Sequence, residues 1–115
     1  MRLVILITAQ TEQSLQVALA WEQAGASGVT ILEGHGFHRL QKQLEIRDDL
    51  PLMPSLASVL RGQEVDTHVL VSVVDDDLAA KLSAETVAIL GDLTLPGNGI
   101  ILTLDVVDML GLRTY

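Results

Sequence analysis

Three stretches of this 115-residue chain are apolar at all but one position. They are Leu3–Ala9, Val69–Val74 after His68, and Ile100–Leu104, interrupted only by Thr8, Ser72 and Thr103. Runs of five to seven residues rich in Val, Ile and Leu read as β-strands with both faces buried. A sheet with one wet face would alternate apolar and polar residues, and these runs do not. A second surface must therefore cover the far side of the sheet, which predicts a homo-oligomer. A monomer with its long loop folded over the sheet is the alternative.

The segments between the runs supply helices. Thr11 is a candidate helix cap, with Glu12 near the positive helix end. Leu15, Ala18, Leu19 and Glu22 then recur at helical spacing before Gly25. Residues 28–34, bounded by glycines, read as a strand. Asp75, Asp76 and Asp77 open a second helix, where carboxylates are favourable, and Leu78, Leu82 and Ile89 mark its core face. Pro96-Gly97-Asn98-Gly99 is a turn before the last strand. Between His35 and Thr67 the pattern weakens. Leu52, Leu56, Val59 and Leu60 suggest a short helix inside an otherwise long connection.

The order β, α, β, long loop, β, α, β predicts a single α+β domain over residues 1–115. Its architecture is the ferredoxin-like βαββαβ, a four-stranded antiparallel sheet with two helices on one face. With only 3% aromatic residues, the core must be aliphatic. A net charge of −8 and scattered basic residues argue against nucleic-acid binding. The absence of cysteine excludes disulfides and fits a cytoplasmic protein. The apolar start, Met1–Ile7, stops at Thr8 and reads as a buried strand rather than a signal peptide. No stretch is apolar for the roughly 18 residues of a membrane span.

Chemistry-bearing residues are few. No nucleophile, metalloprotease, P-loop or dinucleotide motif is present, so an enzyme is not expected. The aspartates at 75–77 suit helix capping better than a divalent cation. Glu33, His35 and His38 could ligate zinc or a similar metal if the loop brought His38 near the strand. Gly97 and Gly99 could let backbone amides cradle a phosphate, or could simply serve the turn.

Two blocks carry a resemblance. One runs from Gly25-Ala26-Ser27-Gly28-Val29-Thr30 through Gly36-Phe37-His38-Arg39. The other joins Val71–Asp76, Gly97-Asn98-Gly99 and Asp105-Val106 to Arg113-Thr114. In order and spacing they resemble the PII family of nitrogen-regulatory, signal-transduction proteins. The resemblance implies a trimer with an adenine nucleotide (ATP, ADP or AMP) in clefts between subunits. It also implies a T-loop, here about residues 38–66, that docks onto a regulated transporter or enzyme. Thr30, Gly36, Phe37, Arg39, Gly97, Gly99 and Arg113 match family positions near the nucleotide. Ile100, Gly111 and Leu70 stand where the family carries a lysine, an arginine and a glutamate. His38 and Leu40 replace a T-loop glycine and glutamine, and the T-loop tyrosine that some members have uridylylated has no counterpart. CutA proteins share this architecture, so a trimeric metal- or anion-binding module without nucleotide sensing is the alternative.

Overall fold

The structure is a computed structural model that describes residues 1–46 and 64–112. Its elements are β1 (Arg2–Thr8), a short 3-10 turn (Thr11–Gln13), α1 (Ser14–Ala24), β2 (Thr30–Gly34) and α2 (Phe37–Ile46). Then follow β3 (Thr67–Val74), α3 (Asp76–Leu90) and β4 (Ile100–Asp105). The four strands form one antiparallel sheet in the order β2-β3-β1-β4, as the ferredoxin-like arrangement requires. The helix read from Leu52 to Leu60 lies outside the described residues.

Helices α1 and α3 pack against each other and against β1 and β3. Side chains alternate across a strand, so even-numbered residues of β1 and β3 point toward these helices. Val4, Leu6, Leu70 and Val74 are buried there with Val17, Ala18 and Trp21 of α1 and Ala79, Leu82 and Leu90 of α3. Trp21 is the largest fully buried side chain. Its indole N–H donates to Thr86 Oγ1 at 2.9 Å, and that hydroxyl donates to the Leu82 carbonyl at 2.7 Å. The one polar group of the tryptophan is thereby satisfied inside the core.

Local chemistry sets the helix ends. Asp75 caps α3, its carboxylate accepting the Leu78 N–H at 2.8 Å, so the aspartate run does serve as a helix start. Asp76 instead pairs with Arg2 at 2.9 Å, and the same guanidinium also pairs with Asp105 at the end of β4. Gly25 ends α1 with φ +125°, donating to the Glu22 carbonyl while Ala26 donates to that of Trp21. These two bonds make a Schellman motif, which a left-handed glycine permits.

The first helix differs from its sequence reading in two respects. Thr11 starts a 3-10 turn and makes no capping bond, so α1 proper begins at Ser14. The buried face is Ser14, Val17, Ala18 and Trp21, whereas Leu15 and Leu19 are 67% and 51% exposed. The indole's area and its bond to Thr86 fix the rotation of the helix. Strand β2 begins at Thr30, two residues later than expected. The segment read as a loop from residue 38 starts as helix α2, with Leu40 buried.

The odd-numbered residues of β1 and β3, with the even-numbered residues of β2 and β4, form the opposite face. Leu3, Ile5 and Ile7 lie beside Val73, Val71 and Val69 on one side and Leu104, Leu102 and Ile100 on the other. Leu32 of β2 extends this surface next to Val69. No helix covers it. Ile7, Leu102, Leu104, Leu32 and Ile100 are between 37% and 52% exposed. The ten side chains make one contiguous aliphatic face.

Candidate functional site

The turn after α3 is tied to the end of β1. Thr8, buried, donates its hydroxyl to the Asn98 carbonyl at 2.9 Å and accepts the Gln10 N–H at 3.0 Å. Gln10 Nε2 donates to Asn98 Oδ1 at 2.8 Å and to the Leu90 carbonyl at 3.2 Å. Asn98 Nδ2 donates to the Asp92 carbonyl at 2.7 Å. Asp92 in turn accepts both the N–H and the hydroxyl of Thr94, which hold its carboxyl below the usual range against a small opposing effect of burial. The Leu93–Gly99 segment is therefore a fixed wall.

A second wall comes from the neck where the chain leaves β2 and returns to β3. The Asp66 N–H donates to the Gly34 carbonyl at 3.3 Å. Its carboxylate accepts the Gly36 N–H and the Thr67 hydroxyl, both at 2.7 Å. Partial burial pushes this carboxyl up. The Gly36 amide, the Thr67 hydroxyl and the nearby charges of Arg39 and His35 outweigh that, leaving it below its ordinary value. Arg39 Nη1 reaches the Asp66 carbonyl at 3.3 Å. The Gly36 carbonyl accepts the Leu40 N–H at 3.0 Å and so starts α2, whose first amides have no partner within the helix.

Between the two walls lies a cleft of about 570 Å³. Its lining includes Gly36, Phe37, His38 and Arg39 from the neck and Gly97 and Gly99 from the turn, with Ile7–Ala9 at the base. Phe37 is 67% exposed, an aromatic face available to a ligand. The cleft lining thus carries the N-terminal end of α2, the Arg39 guanidinium and the His38 imidazole, groups of a kind that can hydrogen-bond an anion.

The structure thus brings together five of the seven positions drawn from the two sequence blocks: Gly36, Phe37, Arg39, Gly97 and Gly99. Thr30 is elsewhere. It lines a smaller hollow of about 240 Å³ with Gly28, Val71 and Gly111, at the opposite end of β2 and β3 from the cleft. The separation along the strand from Thr30 to Gly34 is roughly 13 Å. Arg113 lies outside the described residues. Leu70, which stands where the resembled family carries a glutamate, is fully buried on the helix side, away from the cleft lining. Ile100 is half exposed beside the cleft.

Among the described residues, no three His, Asp or Glu side chains gather closely enough to hold a metal ion, the trio Glu33, His35 and His38 included. His68 is instead occupied locally, its Nδ1 2.7 Å from the buried Ser14 hydroxyl. No described helix is long and apolar enough to cross a membrane. Asp66, Thr67 and Thr94 are not recognisable from the sequence as contributors to this region. The nearest signals were the short Asp92-x-Thr94 spacing of a side-chain-closed turn and an aspartate just before a strand. No family model matches the chain, and no curated protein matches it.

Proposed function

We propose that this protein is a PII-like regulator. It senses a small anionic ligand, first of all an adenine nucleotide, in the cleft between residues 36–39 and 97–99. It signals to a partner protein, a transporter or an enzyme, through residues 38–66. The observation that carries this reading is convergence. Residues 36–39 and 97–99, one segment from each of the two resembling blocks and some sixty residues apart, line one cleft whose exposed groups suit a phosphate and an aromatic-stacked base. A homotrimer closed through the open sheet face belongs to the same proposal, because that face is aliphatic across three strands. The second hollow at Thr30 and Gly111 then becomes available as the neighbouring subunit's contribution.

Calorimetry with ATP, ADP and AMP at about 100 µM protein tests the reading, since a site of about −5 to −6 kcal/mol is visible there. Heat is expected with at least one of them. Arg39→Ala should weaken that binding about tenfold, by removing a charge-assisted contact. No heat with any of the three nucleotides contradicts the sensing role. Heat with inorganic phosphate alone would favour the CutA-like anion-binding module instead.

A further inference from the structure

The geometry points to Asp66 as the positioning residue of the cleft: its carboxylate latches the departing and returning chains of the neck and so holds the Gly36–Arg39 wall in its ligand-facing place. Asp66 does not line the cleft, and thirty positions separate it from Gly36. Yet it makes contacts to both sides of the neck through three different groups. Its N–H holds Gly34, its carboxylate holds Gly36 and Thr67, and its carbonyl holds Arg39.

Gly36 is where this matters most. It precedes α2, and its carbonyl receives the first bond of that helix. Its N–H has the Asp66 carboxylate as acceptor, a charge-assisted bond of about twice neutral strength. A Cβ placed on Gly36 would meet Asp66 Oδ1 and Thr67 Oγ1 at 3.7 Å and Arg39 Cδ at 3.8 Å, ordinary contact distances, so no steric lock seats this residue. The directional bond to its own N–H comes from the Asp66 carboxylate. With the bond removed, the start of α2 loses its tether to β3, and Phe37, His38 and Arg39 lose their common orientation toward the glycine turn.

This inference rests on the cleft being the ligand site, and the test separates the two. The first arm uses no ligand. Amide hydrogen exchange at pH 7 is measured residue by residue on the wild type, Asp66→Ala and Asp66→Asn. In Asp66→Ala the Gly36 amide should exchange at least about tenfold faster, while amides at the β1–β3 pairing stay as protected as in the wild type. Asp66→Asn keeps an acceptor oxygen at the same place and should restore most of the protection. Gly36 as protected in Asp66→Ala as in the wild type overturns the latch.

The second arm is ADP calorimetry on the same three proteins. Asp66→Ala should bind ADP about tenfold more weakly, with Asp66→Asn close to the wild type. Equal affinity in Asp66→Ala and the wild type overturns the positioning role. Absence of ADP binding by the wild type counts against the nucleotide reading of the cleft and leaves the latch to be decided by Gly36 exchange.

Discussion

Gly99 illustrates how one residue can answer to backbone and ligand demands together. It holds φ +123°, and a Cβ there would stand 2.6 Å from the Ile7 carbonyl oxygen and 3.1 Å from Thr8 Cβ. The glycine is required for the turn to close against β1, whatever the cleft binds. Gly97 has φ +86° but open space around it. Gly99→Ala should therefore destabilise the protein by at least about 1–3 kcal/mol. Gly97→Ala, strained by its left-handed φ but with nothing to clash against, should cost about 1–2 kcal/mol, less than Gly99→Ala. Denaturant unfolding of both variants checks this, and equal losses would mean that the close approach to Ile7 is not what selects glycine. The sequence showed both glycines and a turn, but it could not separate these roles, because the crowding atoms belong to a strand some ninety positions earlier. Asp66 was hidden for the same reason. Its partner is thirty positions away, and no local periodicity reports a bond across a loop.

Among the elements, the four strands were readable within one or two residues, because apolar runs bounded by turn residues allow little else. The phase of α1 was not. Residues 15 and 17–21 are all apolar, so the pattern offers no single face. Trp21 and its buried bond to Thr86 decide it, and both depend on the α1–α3 packing. Thr86→Val should strand the indole N–H in the core and cost about 1–3 kcal/mol, whereas Thr86→Ser should retain most of the stability. Thermal or urea unfolding of the pair reads this directly. A valine variant as stable as the wild type would show that the bond is not what seats α1. Helix α2 was missed because its residues, rich in Gln, Arg and Lys, look like a polar loop. These are also good helix formers, and Asp66 fixes the glycine from which the helix starts.

Across the whole molecule, the open sheet face dominates. Three aliphatic residues from each of β1, β3 and β4 share it, next to Leu32, on a chain of net charge −8. The apolar strand pattern was legible in the sequence as a surface demanding cover, and helices α1 and α3 both pack on the other face. Leu102 lies on it at 40% exposure in the single chain. Leu102→Glu should thus leave the fold intact while placing a charge in the subunit contact, and should lower the assembly's mass. In the proposal a neighbouring subunit completes the sensing cleft formed by residues 36–39 and 97–99, so assembly through this face comes before everything else in the account. Light scattering coupled to size exclusion at micromolar concentration measures it most directly. Three times the 12.4 kDa chain mass is expected for the wild type, with smaller species for Leu102→Glu. A wild-type mass of one chain would contradict the account.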